Sequence, residues 1–457
     1  MKLIGSLWWG PCLSAGVYGL ISASGGHQDM ALVAALACLC VVWWISEAVP
    51  IPITSLLPLA ILPLFDVLTP AQVGQAYGSP LILLLLGGFL LSKSLEHSGA
   101  HRRMALWMIR VVGIHSGPRL VLGFMLSASV LSMWISNTAT TLMLLPVALA
   151  IIEAARQPDK LAIPLLLGLA YGASVGGLGT PIGTPPNLVF MQVYENTVGQ
   201  SVSFSRWMSW GVPVVVILIP LMAWVLSRRF TEAIEVELPR VGDWHVAEKR
   251  VLWVFGLTAL AWITRGEPFG GWSHWFGFPN ANDASVALLA VVVMAMISDG
   301  RGGRLLTWER AVTIPWGVLL LFAGGICLAQ GFVSSGLSDA IGQSLVQLTV
   351  MPTYWLILSI CLIVTFTTET TSNTASTTLL MPILAATAIS AGIAPELVMV
   401  PAAMSASCAF MLPVATAPNS VVFGSGRLRV KDMAVEGFKM NLLAAGVISV
   451  VCFIVLA

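Results

Sequence analysis

Ser136, Asn137 and Thr138 stand before a hydrophobic run in SNTATTLMLLP (136–146), and Ser372, Asn373 and Thr374 stand before another in SNTASTTLLMP (372–382). A second pair of polar breaks follows in the same order, PIGTPPN (181–187) and PVATAPN (413–419). Ser, Asn and Thr cap helix starts, because their side-chain oxygens accept the unpaired N–H groups of a first turn. Such a start carries partial positive charge and attracts anions. A helix that ends beside it leaves unpaired carbonyls, which suit a hard cation that prefers oxygen ligands. Proline in the second pair of breaks removes a backbone donor and disfavours helix in the preceding residue. The chemistry on offer is the holding of an anion and of cations by main-chain groups, amides and hydroxyls. Enzymatic chemistry has no foothold: there is no HExxH, no GxSxG at a break and no paired intramembrane Asp.

The elements that position these residues follow from composition. Of 457 residues, 57% are hydrophobic and only 9% charged, with a mean hydropathy of +0.90. A soluble protein would have about a quarter of its residues charged, so the chain reads as an all-α polytopic membrane protein. Apolar stretches near the roughly 20 residues of a helical crossing run over about 6–22, 30–46, 50–68, 79–97, 161–196, 206–227, 250–265, 284–298, 313–331, 394–424 and 436–457. The first is expected to be a retained helix and not a signal peptide, since no polar mature domain follows it. All seven cysteines fall in apolar segments, with no disulfide framework or metal spacing. The net charge of +1 gives no indication of a nucleic-acid partner.

Two further apolar blocks, 119–155 and 350–390, carry the SNT tripeptides near their middles. With a cytoplasmic N-terminus, eleven single crossings and both blocks dipping in and out on one side, every Lys and Arg except Arg206 and Arg265 falls on the cytoplasmic side. Either block crossing singly would invert all later loops. The blocks are therefore expected to be re-entrant hairpins, the first from the cytoplasm and the second from outside, with the C-terminus outside the cell membrane. LLLLGGFLLSKSLEHSG (83–99) resembles LLLFAGGICLAQGFVSSG (319–336), so Gly87 and Gly88 answer Gly324 and Gly325. Five crossings separate each feature from its partner, which makes the two repeats inverted, the arrangement that places a transport site at the bilayer midplane. The expected units are 1–118 (scaffold helices and an amphipathic arm), 119–229 (hairpin, broken helix and span), 230–249 (charged linker), 250–349 (second scaffold and arm) and 350–457 (second hairpin, broken helix and last span).

No Arg, Lys or His is expected at the midplane, so a bound anion must be neutralised by helix ends, neutral donors and co-bound cations, which would couple the two ligands. Glu369 is the only acid close to a break and reads equally as a structural acid or a coupling group. Proton-coupled carriers more typically show intramembrane acid or His relays, which favours sodium. The pairs Trp8, Trp9 and Trp43, Trp44 read as interfacial anchors or lipid-facing packing, and the histidines as solvated surface.

Taken together, the paired SNT motifs, the Pro-Asn breaks, the hairpins and the linker resemble the divalent anion/sodium symporter family, over nearly the whole chain. The resemblance implies one sodium beside each hairpin. The first would be held by Ser132, Ser136, Asn137 and the backbone at Gly183, and the second by Thr368, the backbone at Thr371, Asn373 and the backbone at Ala415. The substrate would meet Asn137, Thr138, Asn373 and Thr374, with Thr184 and Thr416 close by. It also implies a homodimer and an elevator motion. The amphipathic segments 101–115 and 336–350 would serve as arms between moving and fixed parts. The expected function is sodium-driven uptake of a C4-dicarboxylate such as succinate, malate or fumarate. A sodium-independent exchanger, or citrate or sulfate as substrate, is the alternative, and a channel fits inverted broken helices less well.

Overall fold

The computed structural model describes residues 2–113, 116–155, 157–228, 242–266, 270–338, 340–341 and 351–457. His115, Arg156, linker residues 229–241 and arm residues 342–350 lie outside them. Among the described residues the regular structure is helical, apart from isolated bridge positions at Ser116 and at Ser298 with Arg304. Seven helices among the described residues are long and apolar enough to span a bilayer: Gln28–Ser46, Pro70–Ser98, Asn137–Ala154, Pro158–Gly179, Phe204–Ser227, Trp316–Ser334 and Val430–Leu456, where the second and fourth include short breaks.

Both SNT blocks are helical hairpins. Gly117–Ser132 turns through residues 133–136 into Asn137–Ala154, and Thr353–Thr368 turns through 369–372 into Asn373–Ser390. The inward-running helices have 16 residues each, about 24 Å at 1.5 Å per residue, which is short of the roughly 30 Å hydrocarbon thickness. A constant offset of 236 residues relates the two hairpins (Gly117 to Thr353, Asn137 to Asn373). Downstream, Pro158–Gly176 ends in a 3-10 turn at Gly177–Gly179 before the chain resumes as helix at Pro185–Val198. Glu396–Ala406 breaks likewise and resumes at Ala417–Phe423.

Halves interlock through these resumed pieces. Pro185–Val198 packs against Asn373–Ser390 of the other half, and Ala417–Phe423 packs against Asn137–Ala154 and Pro158–Gly176. Pro158–Gly179 is the central element, with 94% of its apolar window buried. Around this body lies a second set of helices, in which Pro80–Ser98 packs on Asp283–Met296 and Trp316–Ser334 packs on Leu56–Leu64. The duplicated glycine pair sits where the two sets meet. A Cβ on Gly87 would strike Ala287, and one on Gly324 would strike the carbonyl oxygen of Ser55, so these glycines permit backbone approach between outer helices. Their neighbours face inward: Gly88 lies against Ile182 of the first break, and Gly325 against Thr378 of the second hairpin.

Two expectations are corrected. The span at 50–68 is divided into Ile51–Thr54 and Leu56–Leu64, with Ser55 Oγ bonded to Ile51 O and accepting from Trp44 Nε1 at 3.1 Å. Trp44 is consequently no interfacial anchor: it is 2% exposed, whereas Trp8 and Trp9 are exposed. The seven cysteines are free; Cys12 is exposed and five of the others are buried.

Candidate functional site

Each hairpin tip is closed by a hydroxyl that bonds the amide oxygen of the SNT asparagine. Ser132 Oγ donates to Asn137 Oδ1, and the single hydroxyl proton of Thr368 is within reach of both Asn373 Oδ1 (2.7 Å) and Ala406 O (3.0 Å). One turn later Thr141 Oγ1 and Thr377 Oγ1 donate to the Asn137 and Asn373 carbonyls, at 2.8 and 2.7 Å. Ser136 caps its helix by accepting from Ala139 N at 3.1 Å. Ser372 occupies the same N-cap position without a side-chain cap, and the neighbouring Thr371 hydroxyl instead bonds Ser376 Oγ.

The breaks are built by the asparagine that ends each Pro-Asn pair. Asn187 Nδ2 donates to Gly177 O (2.9 Å) and Thr180 O (2.8 Å). Asn419 Nδ2 donates to Ala409 O (3.1 Å) and Leu412 O (3.0 Å), the same pattern shifted by 232 positions (Asn187 to Asn419). These fully buried amides tie the carbonyls of the interrupted stretch together, Thr180 O and Leu412 O accepting from Gly183 N and Ala415 N as well. Their Oδ1 atoms, like Ser174 Oγ, have no hydrogen-bond partner among the described residues. Gly211 and Gly437, in the helices that follow each break, let the chain press against Leu178 O and Phe410 O; a Cβ at either would collide with that oxygen.

Glu369, at the second tip, is 4% exposed and acts as a strut between tip and break. Its carboxylate accepts from Phe410 N (2.7 Å), Met411 N (2.9 Å), Leu412 N (3.0 Å) and Asn441 Nδ2 (2.7 Å). Four donors compensate the buried charge. In the first half Met133 stands at this place in the tip, and Thr180 Oγ1 bonds its carbonyl. Neither Asn441 nor the backbone role of residues 410–412 was signalled by the sequence, and Asn187 and Asn419 were visible only as motif members without a task.

Tips and breaks enclose one cavity of about 590 Å³. Ser136, Asn137, Thr138, Gly183, Thr184, Thr371, Asn373, Thr374, Ala415 and Thr416 all line it. Ser132 and Thr368 stand behind the wall, bonded to their asparagines. The four N-cap residues Ser136, Ser372, Thr184 and Thr416 are among the lining, so four helix starts face one space. Thr184 Oγ1 lies 3.3 Å from Ser407 Oγ, joining the two breaks. Among the lining residues the ionisable ones are Glu47 and Glu369; no Arg, Lys or His is present.

Next to the first tip the arrangement suits a small cation. The space that a Cβ on Gly177 would fill is 3.0 Å from Gly183 O, 3.1 Å from Thr184 Cβ and 3.2 Å from Asn137 Oδ1. Two oxygens thus face a position kept open by a missing side chain, with Ser132 Oγ beside one of them. At the second tip, Asn373 Oδ1, Thr368 Oγ1 and Ala406 O also form an all-oxygen group, and Ala415, which answers Gly183, lines the cavity nearby. Neutral oxygen donors without nitrogen or sulfur are the ligand set of a hard cation.

The chain is similar to known transporters along most of its length. A family model described as "Citrate transporter" matches residues 41–400. A sodium-dependent dicarboxylate transporter SdcS of Staphylococcus saprophyticus is 39% identical over 436 residues, covering 90% of this chain and 83% of the relative. The protein of the same name from Staphylococcus aureus is 38% identical over 439 residues, covering 91% and 84%. Among solved structures, a crystal structure of the Alcanivorax borkumensis YdaH transporter matches with a TM-score of 0.60 at 16% identity, covering 85% of this chain and 87% of that one, a likeness of fold.

Proposed function

Because this chain belongs to the citrate and sodium-dependent dicarboxylate transporters, the divalent anion/sodium symporter family, we propose that it carries a C4-dicarboxylate into the cell on inward-moving sodium. The observation that carries this reading is the convergence of four helix starts on one cavity with no basic lining residue. A dianion held by partial charges and amide or hydroxyl donors alone is under-neutralised. Cations in the two oxygen groups beside it supply the missing charge, and each ligand then strengthens the other.

In this reading the dianion contacts Asn137, Thr138, Asn373 and Thr374, with Thr184 and Thr416 alongside. One sodium is bound by Ser132, Ser136, Asn137 and Gly183 O, and the other by Thr368, Thr371 O, Asn373 and Ala415 O. Glu47 and Pro315, which line the cavity, belong to helix ends that the distribution of Lys and Arg assigns to the cytoplasm. The cavity accordingly opens inward. The hairpins, broken helices and the two long helices Phe204–Ser227 and Val430–Leu456 slide together against the outer set, past the contacts at Gly88 and Gly325. The homodimer rests on the family resemblance.

Proteoliposome uptake tests the site. Asn137→Ala and Asn373→Ala are each expected to abolish sodium-dependent succinate uptake, and undiminished transport in both would refute it. Citrate is the second reading, favoured by the description of the matching family model. Labelled citrate outcompeting succinate at equal concentration would install it. A sodium-independent exchanger would be expected to place a basic group where sodium binds, and neither oxygen group includes one.

A further inference from the structure

Ser79 is the residue before the outer helix Pro80–Ser98, and Gln192 lies in Pro185–Val198, the resumed piece of the first broken helix. Their side chains meet where the outer set touches the body: Ser79 Oγ donates to Gln192 Oε1 at 2.6 Å, and both residues are buried. Local structure aims each group at the other. Ser79 Oγ caps its own helix by accepting from Ile82 N at 3.3 Å, which leaves its one proton to point away from that helix. Gln192 Nε2 donates to Asn196 Oδ1 at 3.0 Å, one turn on, which turns Oε1 toward Ser79. By the distribution of Lys and Arg this contact lies at the outer face, opposite the inward-opening mouth of the cavity.

The second half cannot reproduce this bond. The glycine register (Gly87 to Gly324) puts Trp316 at the place of Ser79, and the helix starts (Pro80 to Trp316) put Pro315 there. The Pro-Asn register (Asn187 to Asn419) puts Gly424 at the place of Gln192. Trp316 Nε1 is already bonded to Val312 O at 3.1 Å, and neither Pro315 nor Gly424 has a side-chain donor or acceptor. In a carrier built from inverted repeats, the outward-open form gives each half the arrangement that the other has in the inward-open form. The bond between Ser79 and Gln192 is then broken, and Trp316 or Pro315 stands against Gly424, where no side-chain bond replaces it. We propose that Ser79 and Gln192 are positioning residues for transport, a latch on the outer face that favours the inward-open form of the empty carrier. The inference rests on the sliding motion proposed above.

The full-length chain is tested in sealed right-side-out vesicles. Gln192→Met should lower the external succinate concentration for half-maximal sodium-dependent uptake by roughly 2- to 10-fold, because removing one hydrogen bond from the inward-open form alone raises the fraction that faces external substrate. A gain in apparent affinity is not what general damage to the fold produces. Ser79→Ala should shift the value likewise, and the two together no further than either alone, since both remove the same bond. Asn196→Ala, which cuts only the bond within the helix, should leave the value in place. The sliding itself is tested by Ser79→Cys with Gln192→Cys in a Cys12→Ser background, Cys12 being exposed. Joining that pair with a short reducible bis-thiosulfonate reagent should arrest uptake until the reagent is reduced. Uptake that continues through a complete cross-link would refute the sliding, and the latch with it. Arrest by the cross-link together with an unmoved half-saturation in Gln192→Met and Ser79→Ala, or with an equal shift in Asn196→Ala, would leave the sliding standing and overturn the latch.

Discussion

At the residue scale, the polar groups that matter divide into those that face the cavity and those that hold them there. The tripeptides were legible because duplication in order is improbable for mere helix caps. Their supports were not legible, because hydrogen bonds from Glu369 reach residues 41 to 72 positions away. The carboxylate is the acceptor for three main-chain N–H groups, a task a glutamine can only partly perform, since its amide offers one acceptor oxygen and places an NH2 against a donor. Glu369→Gln should therefore destabilise the chain by about 1–3 kcal/mol and raise the sodium concentration for half-maximal uptake more than the succinate concentration. A thermal unfolding curve beside two uptake titrations checks both parts. Asn419 fixes the carbonyls of the second break from one shell further out, and Asn419→Ala is expected to weaken sodium binding by about 10- to 100-fold with the dianion contacts left in place.

Among elements, hairpins and broken helices could be foreseen from proline, SNT and the side assignment of Lys and Arg. The division of 50–68 could not, because it depends on a partner distant in sequence: Ser55 turns its carbonyl toward Gly324 of the other half. That contact sets a contrast between two members of the duplicated glycine pairs. Gly324→Ala puts a methyl into a backbone oxygen that cannot retreat, so the variant should lose monodispersity in size exclusion. Gly88→Ala meets side-chain atoms of Ile182 no closer than 3.5 Å, ordinary contact, and should remain folded. The first tip has a further tie to the outer helices. Trp134 stands at 5.5 Å and 85° to Phe255, and nearly parallel to Phe204 and Trp262. Edge-to-face pairs contribute about 0.5–1.5 kcal/mol. If the tip slides during transport, Phe255→Leu should lower the population of the cavity-open form by roughly 2- to 10-fold. Labelling of a cysteine at Ser92, a cavity-lining position, would report it in a Cys12→Ser background, Cys12 being the exposed native thiol. Unchanged labelling would assign the stack to static packing.

For the whole molecule, the interlocking of the halves has a thermodynamic consequence. Each resumed helix packs on the other half's hairpin, and Thr184 meets Ser407 between the breaks, so the two oxygen groups border one shared cavity and are not independent modules. If both are filled when the dianion binds, succinate affinity depends on sodium to the second power. The slope of log Kd against log sodium concentration, well below saturation, should then approach about −2. Reciprocity requires that saturating succinate tighten sodium binding by the same overall factor by which saturating sodium tightens succinate. Equilibrium binding in detergent, by competition with labelled succinate, measures the slope without any transport step. A slope near −1 in the unaltered chain would mean that only one oxygen group takes an ion with the substrate. In that event Thr368→Ala and Ser132→Ala tell which, because only the variant at the occupied group would flatten the dependence. A slope near −2 that falls toward −1 in both variants would place one ion at each tip, and two sodium ions with one dianion would then cross the bilayer as a neutral set.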